Sequence, residues 1–332
     1  PFATIEPNVG VVPVPDYRLQ KLAEITKEEE KMTGLPPIKP ATVEFVDIAG
    51  LVKGAAEGAG LGNKFLSHIR EVSVIAHVVR AFVDDNIIRE GSSDPEADFA
   101  TITTELILAD LQSLQKQDSA IKSNDPKKPL FRKLIDSLNT GIPVRNIKFT
   151  LEEEEAVKQM FLLTKKPELV VLNISEDEYS LTNVTSLTEK YANILQLPKD
   201  KFVVICAKIE SELSELGEED QTQYLKDLGF PTSGLERLIQ KAYENLGLIS
   251  FLTSGVKEVR AWTIKKGSTA VEAAGEIHTD FMKKFIKAEV VSYPDFTELN
   301  GWKGSREKGK ARLEGKDYIM NDGDVVEFKI GA

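Results

Sequence analysis

The sequence predicts an α/β protein: a mainly parallel sheet, a helical hairpin inserted into it, and a small α+β module at the C-terminus. Three observations carry that prediction. Short apolar runs alternate with helical patterns through the first part of the chain, the signature of a parallel sheet covered by helices. Residues 96–140 replace the alternation with two helical stripes. After about Leu248 the pattern changes again, to strands grouped around one helix.

In chain order, the buried strands are Val43-Glu44-Phe45-Val46, Val74 to Val79, Leu169-Val170-Val171-Leu172 and Phe202-Val203-Val204-Ile205. Leu61, Phe65, Ile69 and Val72 recur at helical spacing between the first two. Ile102, Leu106, Ala109, Leu111 and Leu114 form a stripe, Ser123-Asn124-Asp125-Pro126 breaks it, and Leu130, Leu134 and Leu138 resume it. Such a stripe reads as a helix–helix seam rather than a cofactor box. Thr150 with Glu153, and Ser233 with Glu236, are capping boxes that open amphipathic helices. Ser180 starts a further helical pattern that runs to about Leu195. In the C-terminal module, Val256 to Trp262 reads as a strand, and Thr269 with Glu272 caps a helix expected to reach about Lys287. Ala288 to Tyr293 is a second strand. Asp317-Tyr318-Ile319 and Val325 to Phe328 flank the turn Asn321-Asp322-Gly323-Asp324.

Composition narrows the function classes. Of 332 residues, 41% are hydrophobic and 29% charged, which excludes a mainly disordered chain. No run approaches ~18 uninterrupted apolar residues, so a membrane-spanning helix is excluded. The opening Pro1-Phe2-Ala3-Thr4 has neither the basic nor the apolar part of a secretory leader, and a start at Pro1 rather than Met is not the expected translated start. Cys206 is the only cysteine, which excludes an intramolecular disulfide and a Cys-rich zinc site and points to a reducing compartment. His68, His77 and His278 lie far apart and read as packing or capping residues, not ligands. The net charge of -11 argues against wholesale coating of nucleic acid, but it is uneven. Residues 250–332 hold 14 Lys and Arg against 13 Asp and Glu, so nearly all the negative charge lies upstream.

Three strand-end motifs carry chemistry. Val46-Asp47-Ile48-Ala49-Gly50 ends an apolar strand and leads into a glycine-rich stretch. In switch NTPases an Asp leaving such a strand holds Mg²⁺ through water, and the Gly amide senses the γ-phosphate. Alone, these letters also mark a plain strand-end turn. Asn173-Ile174-Ser175-Glu176 follows the strand ending at Leu172, and Cys206-Ala207-Lys208 follows the strand ending at Ile205. A switch GTPase keeps its base-reading Asn-Lys-x-Asp and Ser-Ala-Lys at these places, and three motifs in order are far harder to obtain by accident than one. Gly58-Ala59-Gly60-Leu61-Gly62-Asn63-Lys64 is not a phosphate loop, because that loop needs Gly-Lys-Ser/Thr in succession. It reads instead as a mobile loop, since glycines lower the cost of changing φ and ψ.

With Phe2 to Gly10 and Asp47-Ile48-Ala49-Gly50-Leu51-Val52-Lys53-Gly54-Ala55, the chain resembles the Obg-like ATPases of the YchF type. The resemblance covers nearly the whole chain and is densest over Leu61 to Arg80 and Gly255 to Phe328. It implies a P-loop G domain over residues 1–92 and 146–247, a helical coiled-coil insertion over 93–145, and a β-grasp TGS domain over 248–332. It also implies a strand, a Gly-x-x-x-x-Gly-Lys-Ser loop and a helix ahead of Pro1, outside these 332 residues.

Carried over by position, Thr4 would ligate Mg²⁺, Asp47 would hold it through water, and Gly50 would offer its amide to the γ-phosphate. Asn173, Ile174 and Glu176 would surround the base, with Ala207 and Lys208 closing over it. The family prefers ATP, and Glu176 offers a reason: it is one methylene longer than the Asp that accepts from two guanine nitrogens. Ile174 likewise replaces the Lys that packs on the ring. Leu51 stands where many switch GTPases carry a water-orienting Gln and can neither donate nor accept, so slow intrinsic hydrolysis is expected. Arg89 follows Asn86-Ile87-Ile88 where relatives often carry a His. The implied function is a cytoplasmic, Mg²⁺-dependent, ATP-hydrolysing switch protein that associates with ribosomes, on the large subunit, with possible RNA contact through the TGS domain and none with membranes. The alternative is a non-hydrolysing ribosome- or RNA-binding adaptor that lacks the phosphate loop. Under either reading, Lys257, Arg260, Lys265, Lys266, Lys283, Lys284 and Lys287, then Arg306, Lys308, Lys310 and Arg312, are the C-terminal module's candidate phosphate contacts, with Trp262 and Tyr293 as candidate stacking rings.

Overall fold

A computed structural model describes residues 8–48, 61–82, 94–122 and 124–331. Thr4, Gly50, Leu51, the glycines before Leu61 and the Asn86 to Arg89 segment lie outside the described residues. The chain divides into two compact units, residues 1–10 with 46–242 and residues 11–45 with 243–332.

Strands β1 (Asn8–Pro13), β2 (Ile38–Lys39) and β3 (Thr42–Asp47) come first, and β1 pairs with β3 in a two-stranded ribbon. The first unit is organised by a parallel sheet of β4 (Ile75–Arg80), β5 (Glu168–Asn173) and β6 (Phe202–Ile205), in that order. Leu169 to Leu172 of the central strand are fully buried, as a continuous apolar run in a parallel sheet requires. Val170, Leu172 and Val204 pack with Tyr179, Ile209 and Phe230 in the main core of this unit.

The helices Pro95–Ala120 and Lys128–Asn139 form the inserted hairpin. Leu111 and Leu114 of the first meet Leu130, Leu134 and Leu138 of the second in a helix–helix seam, while Ile102, Leu106 and Ala109 of the same stripe pack with Leu66, Ile69 and Leu163. The Thr150 capping box forms in full, and Ser233 and Glu236 exchange backbone bonds as expected.

A buried polar chain fastens this hairpin to the sheet. Asp110 is fully buried on the first helix and accepts from Leu163 N, Thr164 N and Thr164 Oγ1, at 2.8, 2.8 and 2.7 Å. Arg145 donates to Thr164 O and forms an ion pair with Glu168 at the start of β5. Glu168 Oε2 lies 3.8 Å from His77 Nε2 on β4. Burial, reinforced by the charge of Arg145, pushes the His77 imidazole down to about 3. Glu168 does not reverse this, because its carboxylate is committed to Arg145.

His77 is therefore neutral when folded and takes a proton near pH 6.5 when unfolded. Its contribution to stability is complete above that value and declines as the pH falls toward 3, by up to about 1.4 kcal/mol per pH unit. We expect urea unfolding to show wild type losing about 2 kcal/mol more than His77→Phe between pH 7 and pH 5; equal losses would refute a buried neutral histidine.

The second unit holds β7 (Leu248–Ser254), β8 (Val259–Lys265), β9 (Phe285–Ser292), β10 (Arg312–Glu314) and β11 (Asp324–Ile330). The sheet order is β10-β9-β11-β7-β8-β2, with β11 parallel to β7 and β2 parallel to β8. Phe251, Ile264, Val290 and Val326 pack on Ala270 and Ala273 of the helix Ala270–Ile277, opened by the Thr269–Glu272 capping box. That helix stops at Ile277, short of the expected Lys287, because His278 turns extended and its Nδ1 caps a second helix, Thr279–Lys283, through Asp280 N. Asp317 to Ile319 is not a strand: it contributes one isolated bridge, Thr269 to Ile319.

Residues 11–45 fold with this second unit, whereas the sequence reading kept them with the first. The cause is non-local. Beyond the β2–β8 pairing, Arg18 bonds both Asp16 and Asp322, and Glu29 accepts from Trp302 N and Lys303 N at 3.1 and 2.6 Å. Gly301, at φ 102°, lets that carboxylate approach: a Cβ there would lie 2.3 Å from Glu29 Oε2.

Candidate functional site

In a parallel sheet, ligands bind beyond the carboxyl ends of the strands, where the backbone leaves the core. β5 and β6 end side by side, with Asn173 registered opposite Ile205. Asn173 is the first residue past the fully buried run, so its amide side chain emerges at the sheet edge. Its Oδ1 accepts from Ala207 N at 3.0 Å, satisfying the first amide of the helix Ala207–Glu215. One side chain thus joins the two strand-end loops.

Glu176 opens a short 3-10 turn, Glu176–Glu178, and forms an ion pair with Lys208 in the first turn of the helix Ala207–Glu215. The bond to Glu176 pushes the Lys208 ammonium up from its ordinary value. Both side chains are well exposed, at 43% and 65%, so the pair adds little to stability. Its importance is positional. An amide and a carboxylate stand three residues apart on the segment that leaves β5, with an ammonium facing the carboxylate from the start of the helix Ala207–Glu215.

Such a set suits a purine edge. An amide can donate and accept in a bidentate manner, as Asn does with the N6/N7 edge of adenine. A carboxylate only accepts and so takes an exocyclic amino group.

Ile174 departs from the expectation. It is 2% exposed and sits in the core with Val204 and Ile209, because its N–H bonds Ile205 O at 2.9 Å and continues the strand alternation past Asn173. Its side chain is therefore turned away from the opening that Asn173, Glu176, Ala207 and Lys208 share.

Asp47 ends β3, exposed and without a hydrogen bond or ion pair to another described residue. A free carboxylate of this kind suits a hydrated Mg²⁺, which keeps several waters and takes few protein ligands. Among the described residues there is no group of three or more His, Cys, Asp or Glu placed to hold a metal ion. Sequence reasoning missed Tyr179, Glu210 and Arg237, which stand behind the opening. No motif marks them, and two of them lie in later helices.

Residues 248–331 match the family YchF-GTPase_C, described as a protein of unknown function, and residues 1–108 match a family described as 50S ribosome-binding GTPase. The chain is 46% identical over 341 residues to the ribosome-binding ATPase YchF of Bacillus subtilis, covering 100% of this chain and 91% of that one. It is 43% identical to the protein of the same name in Escherichia coli O157:H7, covering 99% and 90%. Among solved structures, the Schizosaccharomyces pombe YchF GTPase superposes with a TM-score of 0.83 at 34% identity, covering 99% of this chain and 89% of that one.

Proposed function

The chain belongs to the YchF family, and on that premise we propose that it binds and hydrolyses ATP as a ribosome-associated switch protein. The observation that carries the base assignment is the joined pair of strand ends: Asn173 bonded to Ala207 N, and Glu176 paired with Lys208. The relatives' description as ATPases favours hydrolysis over a non-hydrolysing adaptor.

Asn173 presents its amide to the base edge, and Glu176 accepts from the exocyclic amino group. The longer Glu reaches a different depth from an Asp, and a missed paired bond to a buried base costs ~1–3 kcal/mol, enough to lose guanine selectivity. Mg²⁺ supplies charge neutralisation at the phosphates, and Thr4 and Asp47 are the residues that would hold it. Gly50 would offer its amide to the γ-phosphate. Leu51 cannot orient a water, so the intrinsic rate is slow.

The test is a titration of the full-length protein with ATP and GTP at one Mg²⁺ concentration. Glu176→Asp should narrow the ATP preference by about tenfold. An unchanged ratio would count against the assignment. Ile174→Lys would bury an ammonium in the core and should destabilise the fold.

Ribosome contact is placed on the C-terminal module, which we read as a TGS domain. Arg306, Lys310 and Arg312 are paired there with Glu289, Asp295 and Glu314, whereas Lys283 and Lys284 form an exposed basic pair, as do Lys265 and Lys266. Trp262 is not free to stack: Phe251 lies parallel to it, and Arg260 covers it at 3.7 Å. Tyr293 is edge-on to Tyr17. Lys283→Glu with Lys284→Glu should weaken co-sedimentation with ribosomes and flatten its salt dependence; undiminished binding would move the contact elsewhere. No helix among the described residues is long and apolar enough to cross a membrane.

A further inference from the structure

We propose that Arg237 and Tyr179 are positioning residues that set the affinity and selectivity for the nucleotide base by fixing the loop that carries Glu176. The proposal rests on the base assignment above and goes beyond it, to what holds that site in shape.

Glu176 stands on an exposed 3-10 turn, and its only side-chain partner among the described residues is the exposed Lys208. A surface pair of that kind cannot hold a carboxylate within the fraction of an ångström that base discrimination demands. The restraint comes from behind. Tyr179, directly after the turn, is 3% exposed and stacks on Phe230 with ring centroids 4.7 Å apart. Its hydroxyl accepts from Arg237 Nη2 at 3.0 Å. The same nitrogen donates to Val204 O on β6 at 3.0 Å, and Nη1 donates to Thr232 O at 2.8 Å. The guanidinium also lies 5.0 Å over the Phe230 ring. One side chain therefore binds the end of the Glu176 turn and the strand that delivers Ala207 and Lys208.

The helix that carries Arg237 is itself seated on the helix that begins with Ala207 and Lys208. Gly234 N and Leu235 N, at its start, donate to Glu210 at 2.7 and 3.0 Å, and Glu210 lies two residues after Lys208. The fit leaves no room: a Cβ on Gly234 would lie 2.7 Å from Glu210 Oε1, 2.8 Å from Ile205 Cγ2 and 3.0 Å from the Tyr179 hydroxyl. Packing alone would be served by an apolar side chain over Phe230, without the cost of desolvating a guanidinium. What only the planar fork supplies is simultaneous, directional bonding to both strand ends.

Tyr179→Phe keeps the ring and its stacking and removes only the acceptor. In the full-length protein it should raise KM for ATP about fivefold, the worth of one net hydrogen bond, and narrow the ATP-over-GTP preference by a similar factor. The kcat at saturating ATP should stay unchanged, because the phosphate-facing residues are on other segments. Arg237→Met, which loses every bond, should exceed that effect, and Arg237→Lys should only partly restore selectivity. If Tyr179→Phe and Arg237→Met lower the urea midpoint but leave KM and the ATP-to-GTP ratio at wild-type values while Glu176→Ala changes them, the positioning role is overturned and the base assignment stands. If Glu176→Ala also changes neither, the base assignment falls and the proposal with it.

Discussion

Asp47→Asn is expected to slow ATP hydrolysis about a hundredfold while leaving the melting temperature nearly unchanged. The side chain is exposed at the end of β3 and has no partner among the described residues, so the fold loses nothing when its charge is removed. The substitution is isosteric, and the amide still accepts a hydrogen bond, but the negative charge facing the cation is gone. Electrostatic stabilisation of phosphoryl transfer through a bound cation is worth several kcal/mol, and a hundredfold corresponds to about 2.7 kcal/mol of barrier. The loss should fall on kcat, and raising Mg²⁺ should recover part of it. A variant that hydrolyses ATP at the wild-type rate would show that Asp47 is a plain strand-end residue.

Asp110→Ala is expected to cost about 3 kcal/mol of stability. Its carboxylate is fully buried and receives two backbone N–H groups and one hydroxyl. Burial pushes its titration upward and those three bonds pull it down, with burial the larger influence. Removing the acceptor strands three buried donors, each worth ~1–3 kcal/mol when unpaired, and relaxation recovers some of that. For a unit of this size the melting temperature should fall by roughly 6–12 °C. Asp110→Asn should be nearly as damaging, because it aims an amide donor at groups that are themselves donors. A loss below about 1 kcal/mol would mean that the hairpin is held by its apolar contacts with Leu66, Ile69 and Leu163 alone.

Much of the first unit was legible because its signals are local. The runs at Leu169–Leu172 and Phe202–Ile205 and the caps at Thr150 and Ser233 each belong to one element, and the stripe from Leu106 to Leu138 runs over two consecutive helices. The Thr269 cap is as local in the second unit. The strand ends followed from the runs, so Asn173, Glu176, Ala207 and Lys208 could be found as neighbours before any geometry was known.

What stayed hidden depends on contacts distant in sequence. β2 has two residues and owes its existence to β8. The Glu29 cap on Trp302 and Lys303 carries no motif, so residues 11–45 gave no sign of joining the C-terminal sheet. Ile174 was misplaced because a family pattern gives the position but not the strand parity that turns its side chain inward. Arg237 is ordinary by sequence and acquires its role only through Tyr179 and Val204.

The most direct measurement is equilibrium titration of the full-length protein with ATP and with GTP in Mg²⁺, alongside Asn173→Ala. The structure predicts tighter binding of ATP by about tenfold or more, with Asn173→Ala weakening ATP by a comparable factor through loss of the base contact and of the bond to Ala207 N. Equal or tighter binding of GTP, or an Asn173→Ala protein that binds ATP as well as wild type, would contradict the assignment of this strand-end opening as the base site.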